Sequence, residues 1–587
     1  MSTISSTRFA EIMAKIHAKR AEELASRNLT PEMRFISAEG SRGDKILSST
    51  PISTSAPTTL SDIRASEFMS STDAHGNSIT YNSKQQEFIS LAASGSSCIL
   101  IGAAGTGKTT CMKGTVAALI QNISTPILQS HDHKHLPHGT PGIIVCAYTR
   151  RATNNIRRNM DESMRSNCLT IHKSLEYAPT YTEILTPSGD TRTSMTFEPT
   201  RNAQNPLPTE ISCIIFEESS MIGTELYAEV IAALSHEVQI IFLGDIQQLP
   251  PVFGSAILGY KMLELPTIEL TEVYRQALES PIIRLAHRIL SGSPILLPEL
   301  TSDVWKVPDQ LKIVPWKKKT DIESATSLIE KMFAKLYEAG KYNPLEDMIL
   351  IPFNKGFGTL EINKSIANHR ARKHGHVTWE VVAGFTKHYF SVNDKVLYDR
   401  EDAVILDIYL NPSYTGAAPS AESVYLDYWG HNNRPKDATL EESERDTTIG
   451  SDDDIDFLLA QVAMDDEDRV TQSSHHIKIL MSDSETERTI TKAAEVNSLL
   501  LGYALTVHKA QGSEWDKVFL LFHNSHAVAM QRELLYTAVT RAKKELFIIC
   551  ESDTFIKGIT SQRIKGNTLA EKAEYFKGKL DRKELQS

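Results

Sequence analysis

The sequence has no run of about 18 apolar residues, so no stretch is long enough to cross a bilayer as a helix. Its N-terminus has no basic segment followed by an apolar one, which argues against secretion. Cysteine is scarce: Cys98, Cys111, Cys146, Cys168, Cys213 and Cys550 are the only six, with no C-x-x-C or other metal spacing. Most lie in apolar stretches such as Ser97-Cys98-Ile99-Leu100. Buried, reduced thiols in a soluble, cytoplasmic chain with no membrane partner are therefore expected. No internal repeat of fixed period is visible.

What is present describes a globular protein. Hydrophobic residues make up 41% and charged residues 23% of 587 positions, a length for three or four domains. The net charge of −11 is unevenly spread. Asp437 to Asp468 holds 13 acids and one base, Arg445, so the rest of the chain sums to +1. The total charge therefore does not exclude a nucleic-acid partner, because local patches decide binding.

Residues 1–80 combine a helix-compatible stretch, Arg8 to Arg27, with a Ser/Thr/Ala/Gly-rich linker. From Tyr81 to about Gly292, apolar β-rich runs (98–101, 142–147, 211–216, 238–243) alternate with amphipathic stretches. Such alternation predicts a parallel sheet flanked by helices. A second series begins at 348–351 and resumes at 517–522 and 545–550. A second α/β domain is thus interrupted by an insertion that opens with strand-like segments and then holds the acidic block.

Gly102-Ala103-Ala104-Gly105-Thr106-Gly107-Lys108-Thr109-Thr110 fits GxxxxGK[ST] between a predicted strand and a predicted helix. That context makes it a phosphate-binding loop for ATP or GTP. The glycines let backbone N–H groups converge on phosphate oxygens, and the helix N-terminus adds positive potential. Lys108 would reach the β- and γ-phosphates and Thr109 would ligate Mg²⁺. The run 211–216 ends in Glu217 and Glu218. One acid can serve the Mg²⁺ shell and the other polarise water; a solvated strand end is the alternative. The run 238–243 leads into Gly244-Asp245-Ile246-Gln247-Gln248, a polar loop able to read the γ-phosphate.

Further segments make the pattern specific. They are Tyr81-Asn82-Ser83-Lys84-Gln85-Gln86, Ala147-Tyr148-Thr149-Arg150-Arg151-Ala152, Thr170-Ile171-His172-Lys173-Ser174-Leu175 and Glu217-Glu218-Ser219-Ser220-Met221. They continue with Gly244 to Val252, Leu270 to Gln276, Tyr503 to Glu514 and Leu535 to Ala542. In this order the set resembles superfamily 1 helicases of the RecD/Dda type, which move 5′ to 3′ on DNA. The resemblance covers about four-fifths of the chain. Glu217 stands where that family usually has Asp, a displacement of about 1.5 Å that a contact through water absorbs. Asn393, in Asn393-Asp394-Lys395-Val396, replaces a usual Gly and still tolerates a left-handed turn.

The resemblance implies an α/β fold of two RecA-like P-loop domains with ATP and Mg²⁺ between them. A β-hairpin pin would be inserted in the first and an SH3-like β-barrel domain in the second. The implied division is 1–80 helix and linker; 81–295 first domain with the pin at about 178–200; 296–390 and 495–570 second domain. The inserted domain would be 390–495, with its acidic disordered loop at 437–468, and 571–587 would be a tail. Lys108, Glu217 (Mg²⁺ side), Glu218 (general base), Gln248 (coupling), Arg275 and Arg541 would be catalytic. Gln85 and Glu514 would join residues 102–110 in binding ATP. Single-stranded DNA would contact Thr149, His172, Phe197, Thr506, His508 and Lys509; for the two histidines a core imidazole is the alternative. The acidic insertion would dock a replication or recombination protein, compete for the DNA track, or simply solubilise. The implied function is an ATP-dependent DNA helicase in replication, recombination or repair, acting on single strands and forks. The alternatives are an RNA helicase, a DNA-dependent loader or scaffold, and the motor subunit of a helicase–nuclease complex.

Overall fold

In the computed structural model the described residues are 71–72, 78–121, 125–129, 132–185, 191–251, 255–273, 279–293, 310–316, 321–384, 386–398, 401–414, 472–482 and 486–584. The Arg8 to Arg27 stretch, the acidic block, the expected turn at 187–190 and Arg275 lie outside them.

The apolar runs of the first half form one six-stranded sheet. Its order is Thr267–Leu270, Cys98–Gly102, Gln239–Gly244, Cys213–Phe216, Ile143–Ala147, Cys168–Thr170. All neighbours are parallel. The central strands are buried on both faces, which is why they read as continuous apolar runs rather than alternating ones. Ile99, Ile101, Ile144 and Phe216 enter one core, while Cys98, Leu100, Val145 and Ile215 enter the other. Helices Ser83–Ala93, Lys108–Ile120 and Arg150–Asn159 cover the second core through Phe88, Met112, Val116 and Ile156. Helix Thr224–Ala232 covers the first through Tyr227 and Val230.

The second series forms a separate parallel sheet. Its order is Leu311–Trp316, Ala542–Glu551, Trp515–Phe522, Met348–Ile351, Ala504–Thr506. Between helix Thr359–His374 and strand Ala504–Thr506 an antiparallel half-barrel sheet is inserted. Val381, Phe390, Val396, Ile405 and Ile477 give it a core of its own. It starts at Thr378, earlier than the expected 390, because Thr378–Ala383 pairs with Thr386–Ser391 and, at Ala383, with Ser473. Asn393 has φ 68°, the left-handed turn expected of it.

Two further features bear on function. Tyr177–Leu185 and Thr191–Pro199 pair as an antiparallel hairpin in register Tyr177 to Pro199 and Leu185 to Thr191. Among the described residues it joins no other sheet. The segment expected as a tail is mostly helix, Leu569–Glu584, and it packs back onto the first unit. Leu569, Phe576 and Leu580 form one apolar stripe, as helical spacing requires. The Phe576 ring lies against Gly259, where a Cβ would come within 2.2 Å of it. All six cysteines are buried and free. No helix among the described residues is long and apolar enough to cross a membrane.

Candidate nucleotide site and nucleic-acid track

The phosphate loop leaves the C-terminal end of a central strand, where parallel α/β sheets bind ligands. Gly107 turns the chain into helix Lys108–Ile120 at φ 83°, a conformation costly for any residue with a Cβ. Residues 103–105 and 107–110 are half-buried. Lys108 Nζ donates to Gly102 O at 2.6 Å and Ala103 O at 3.3 Å, and Thr106 Oγ1 donates to Ala103 O at 2.8 Å. Gln85 is fixed by a capping box with Asn82, and its Nε2 reaches Gly107 O at 3.4 Å.

Glu217 and Glu218 follow a neighbouring strand, Cys213–Phe216. Glu218 has φ 50°, rare for a residue with a side chain. Burial lifts the Glu217 carboxyl to about 8, with Glu218 beside it adding to the rise and Lys108 opposing it. Burial also raises Glu218, against the pull of Arg541 and Lys108. Among the described residues Glu218 Oε2, Gln248 Oε1 and Ser513 Oγ are buried without a hydrogen-bond partner.

The second unit closes over this pair. Arg541 is buried; its guanidinium donates to Thr537 O, Ser513 O and Thr540 Oγ1 at 3.0–3.2 Å. Tyr536 OH donates to Asp245 Oδ2 at 2.6 Å and accepts from the phosphate-loop Ala104 N–H at 2.6 Å. Leu249 N–H donates to Thr537 Oγ1 at 3.0 Å, and Gln511 Nε2 donates to Leu249 O at 2.8 Å. Glu514 pairs with Lys543 at 3.5 Å. Sequence reasoning quoted Tyr536, Asp245 and Gln511 within motifs without giving them roles. Nothing local distinguishes them, because their partners lie far along the chain.

The candidate track residues lie at or beyond strand ends. Thr149 and His172 follow Ile143–Ala147 and Cys168–Thr170, at the far side of the first sheet. Thr149 Oγ1 caps helix Arg150–Asn159 by accepting from Ala152 N–H at 3.1 Å. The His172 ring meets Tyr148 and Tyr177 edge-on at 5.7 and 4.9 Å. Thr506 is buried and accepts from Lys509 N–H at 3.3 Å, while His508 and Lys509 are half-buried. Phe197, on the hairpin, is 46% exposed. Thus the structure separates the site candidates into a nucleotide group on the central strands and a track group to one side. Arg151 joins three parts of the chain: it pairs with Asp402 of the inserted sheet and lies 5.4 Å from the Trp515 ring centroid.

The chemistry of this set fits a nucleoside triphosphate and its water: loop amides, one lysine and one arginine can donate to phosphate oxygens, and Glu218 Oε2 and Gln248 Oε1, buried without partners among the described residues, can accept from water. Among the described residues no three His, Cys, Asp or Glu side chains cluster as a metal cage. Thr109 and Glu217 are the residues that could contact Mg²⁺, an ion commonly bound by one or two protein groups plus substrate phosphates.

Two parallel sheets with a phosphate loop on one define a P-loop protein. The AAA domain family matches residues 85–254, and the UvrD-like helicase C-terminal domain family matches 501–549. The ATP-dependent RecD2 DNA helicase of Deinococcus radiodurans is 26% identical over 470 residues, covering 80% of this chain and 49% of that protein. The RecBCD enzyme subunit RecD of Buchnera aphidicola is 23% identical over 484 residues, covering 78% of this chain and 71% of that one. This chain thus spans about half the length of the Deinococcus relative. A solved structure of Pif1 helicases at forked duplex DNA covers 85% of this chain and 98% of its own at 15% identity, with a TM-score of 0.43. The chain is thus similar to RecD-type helicases over about four-fifths of its length.

Proposed function

We propose that this chain is an ATP-dependent DNA helicase that moves 5′ to 3′ along single-stranded DNA and opens duplex at a fork. The observation that carries this reading is the composite site. Lys108, Glu217, Glu218 and Gln248 come from one sheet, Tyr536 and Arg541 from the other, and direct hydrogen bonds join the two sides. In this reading both sheets are RecA-like motor domains, the inserted sheet is an SH3-like barrel and the hairpin is the strand-separating pin. In this reading the division of the chain is kept as the resemblance implies it, except that the inserted domain starts at 378 and the last helix is assigned to the first motor domain.

On binding, Lys108 exchanges two backbone carbonyls for β- and γ-phosphate oxygens, and the amides of residues 105–110 take the rest. Gln85 borders the adenine side, and Glu514 belongs to the same pocket. Mg²⁺, when bound, neutralises developing charge on the phosphates, with Thr109 and Glu217 as its protein contacts. Glu218 accepts a proton from the attacking water as the water oxygen bonds to the γ-phosphorus and the bond to the β-bridging oxygen breaks. Burial raises its pKa, which makes it a stronger base for that proton. Arg541, together with Arg275 of the 270–276 motif, stabilises the charge on the transferring group. Gln248 relays the state of the γ-phosphate to the Asp245–Leu249 segment, which is bonded to Thr537 and Gln511. Opening and closing then shifts DNA along Thr149, His172, Phe197, Thr506, His508 and Lys509, through backbone contacts and stacking.

The test measures ATP hydrolysis with and without single-stranded DNA, beside strand separation on duplexes with a 5′ or a 3′ tail. Lys108→Ala serves as the blank. DNA-stimulated hydrolysis with unwinding from the 5′ tail alone is expected. Stimulation by RNA and not by DNA, or unwinding from the 3′ tail alone, would overturn the assignment.

A further inference from the structure

A hairpin that separates strands has to withstand the force it applies. Each strand here has nine residues, a lever of about 30 Å at ~3.3 Å per residue. Among the described residues no sheet pairing anchors either strand to the rest of the chain. Both strands join the rest of the chain at the root, where the chain leaves at Glu176 and returns at Arg201, so the root sets the direction of the hairpin.

That root is built around a buried ion pair. Arg201 is 2% exposed. Its Nε donates to Glu176 Oε2 at 2.7 Å, its Nη1 to Pro206 O at 3.0 Å, and its Nη2 to Asp132 O. Glu176 is buried at φ 49°, and its second oxygen accepts from Lys134 N–H. The two exits are also joined directly: Arg201 N–H donates to Leu175 O at 3.1 Å, and Thr200 Oγ1 to Glu176 O at 2.9 Å. His133 is a second buttress. Its Nδ1 accepts from the Leu136 and His135 N–H groups at 3.1 and 3.2 Å, so its Nε2 donates to Ser174 O at 2.9 Å. Burial keeps this ring neutral by lowering its pKa. Burial opposes the Glu176 carboxylate, yet the Arg201 and Lys134 bonds hold its pKa below the ordinary value. Tyr177 OH donates to Glu229 Oε2 on helix Thr224–Ala232, a third tie.

An ion pair this buried is a poor way to gain stability alone, because desolvation offsets most of the attraction. It is a good way to fix direction, since the planar guanidinium holds several acceptors in one geometry. We propose that Glu176 and Arg201 are positioning residues for strand separation: a rigid clamp that transmits motor force to the hairpin. This rests on the helicase reading above.

The experiment compares wild type with Glu176→Gln and Tyr177→Phe, each checked by thermal melting for a folded state. Three quantities are read: DNA-stimulated kcat and KM for ATP, base pairs opened per ATP, and unwinding of AT-rich against GC-rich duplexes with 5′ tails. A compliant root leaves kcat and KM within about twofold of wild type. It lowers base pairs opened per ATP at least fivefold on GC-rich duplex, and much less on AT-rich duplex. Equal loss of hydrolysis and unwinding, no dependence on base composition, or failure of both variants to fold would each overturn the clamp, leaving a structural role. Wild type that hydrolyses ATP without DNA stimulation and opens neither substrate would instead defeat the helicase reading, and the clamp with it.

Discussion

Replacing Tyr536 by Phe removes one hydroxyl and leaves the ring that fills the core. That hydroxyl ties the second unit to the phosphate loop and to Asp245. Burial and the Asp245 carboxylate push the phenol far above its ordinary pKa, so it remains a donor. Asp245 is fully buried; its Oδ1 accepts from Gln247 N–H at 3.0 Å and its Oδ2 from Tyr536 at 2.6 Å. A hydrogen bond to a buried charged acceptor contributes ~1.5–3 kcal/mol. The half-exposed Ala104 amide finds water or phosphate instead and adds little. The expected loss is about 2 kcal/mol, and it falls on the closed arrangement of the two units. For a unit of this size the melting temperature drops by roughly 4–8 °C. If hydrolysis requires closure, the same energy lowers kcat by up to about 30-fold. Melting of nucleotide-free protein is measured first, then ADP affinity, then DNA-stimulated hydrolysis. Lower melting and lower kcat, with ADP affinity little changed, is the expected set. An unchanged kcat with unchanged melting would refute the reasoning.

Two other predictions concern stability. His526 is buried; its Nε2 donates to Phe357 O at 2.7 Å, its Nδ1 accepts from His523 N–H, and burial lowers its pKa to about 4. The unfolded chain binds this proton from about pH 6.5 downward, so its contribution is present above 6.5 and is lost as pH falls toward 4. Denaturant midpoints should drop over that range, and His526→Gln should flatten the drop; parallel curves would refute it. Phe576→Ala should cost about 3–5 kcal/mol and release the last helix from the first unit, seen as new protease cleavage after residue 560. A variant as protease-resistant as wild type would contradict the packing.

Much of this architecture was legible because its causes are local. Strands buried on both faces must be apolar throughout, so 98–101, 211–216 and 348–351 read as strands, and the structure has strands at Cys98–Gly102, Cys213–Phe216 and Met348–Ile351. The phosphate loop was legible from its glycines and lysine, and the left-handed turn from Asn393. The edge strands Leu311–Trp316 and Ala504–Thr506 were missed: one carries Pro315, and the other is three residues inside a motif read for its chemistry. The inserted sheet begins early because Thr378–Ala383 pairs along its length with Thr386–Ser391, and this hairpin joins the rest of the sheet only at Ala383 and Ser473, about ninety residues on. The last helix was read as a tail because its polar face dominates its composition. The ties made by Tyr536 and Arg201 were illegible for one reason: their partners are chosen by the tertiary fold.

The last helix also sets a limit on movement. Helix Ser552–Thr560 belongs to the second unit, where Phe555 and Ile559 are core, whereas Phe576 belongs to the core of the first. Only the eight residues between Thr560 and Leu569 join them, and fully extended they reach ~28 Å at most. Glu533 already takes the Arg563 and Ile564 amides, which shortens the free length. Any working stroke is therefore leashed. However far the halves separate, they cannot part company, and each excursion ends against a tether drawn from the same polypeptide.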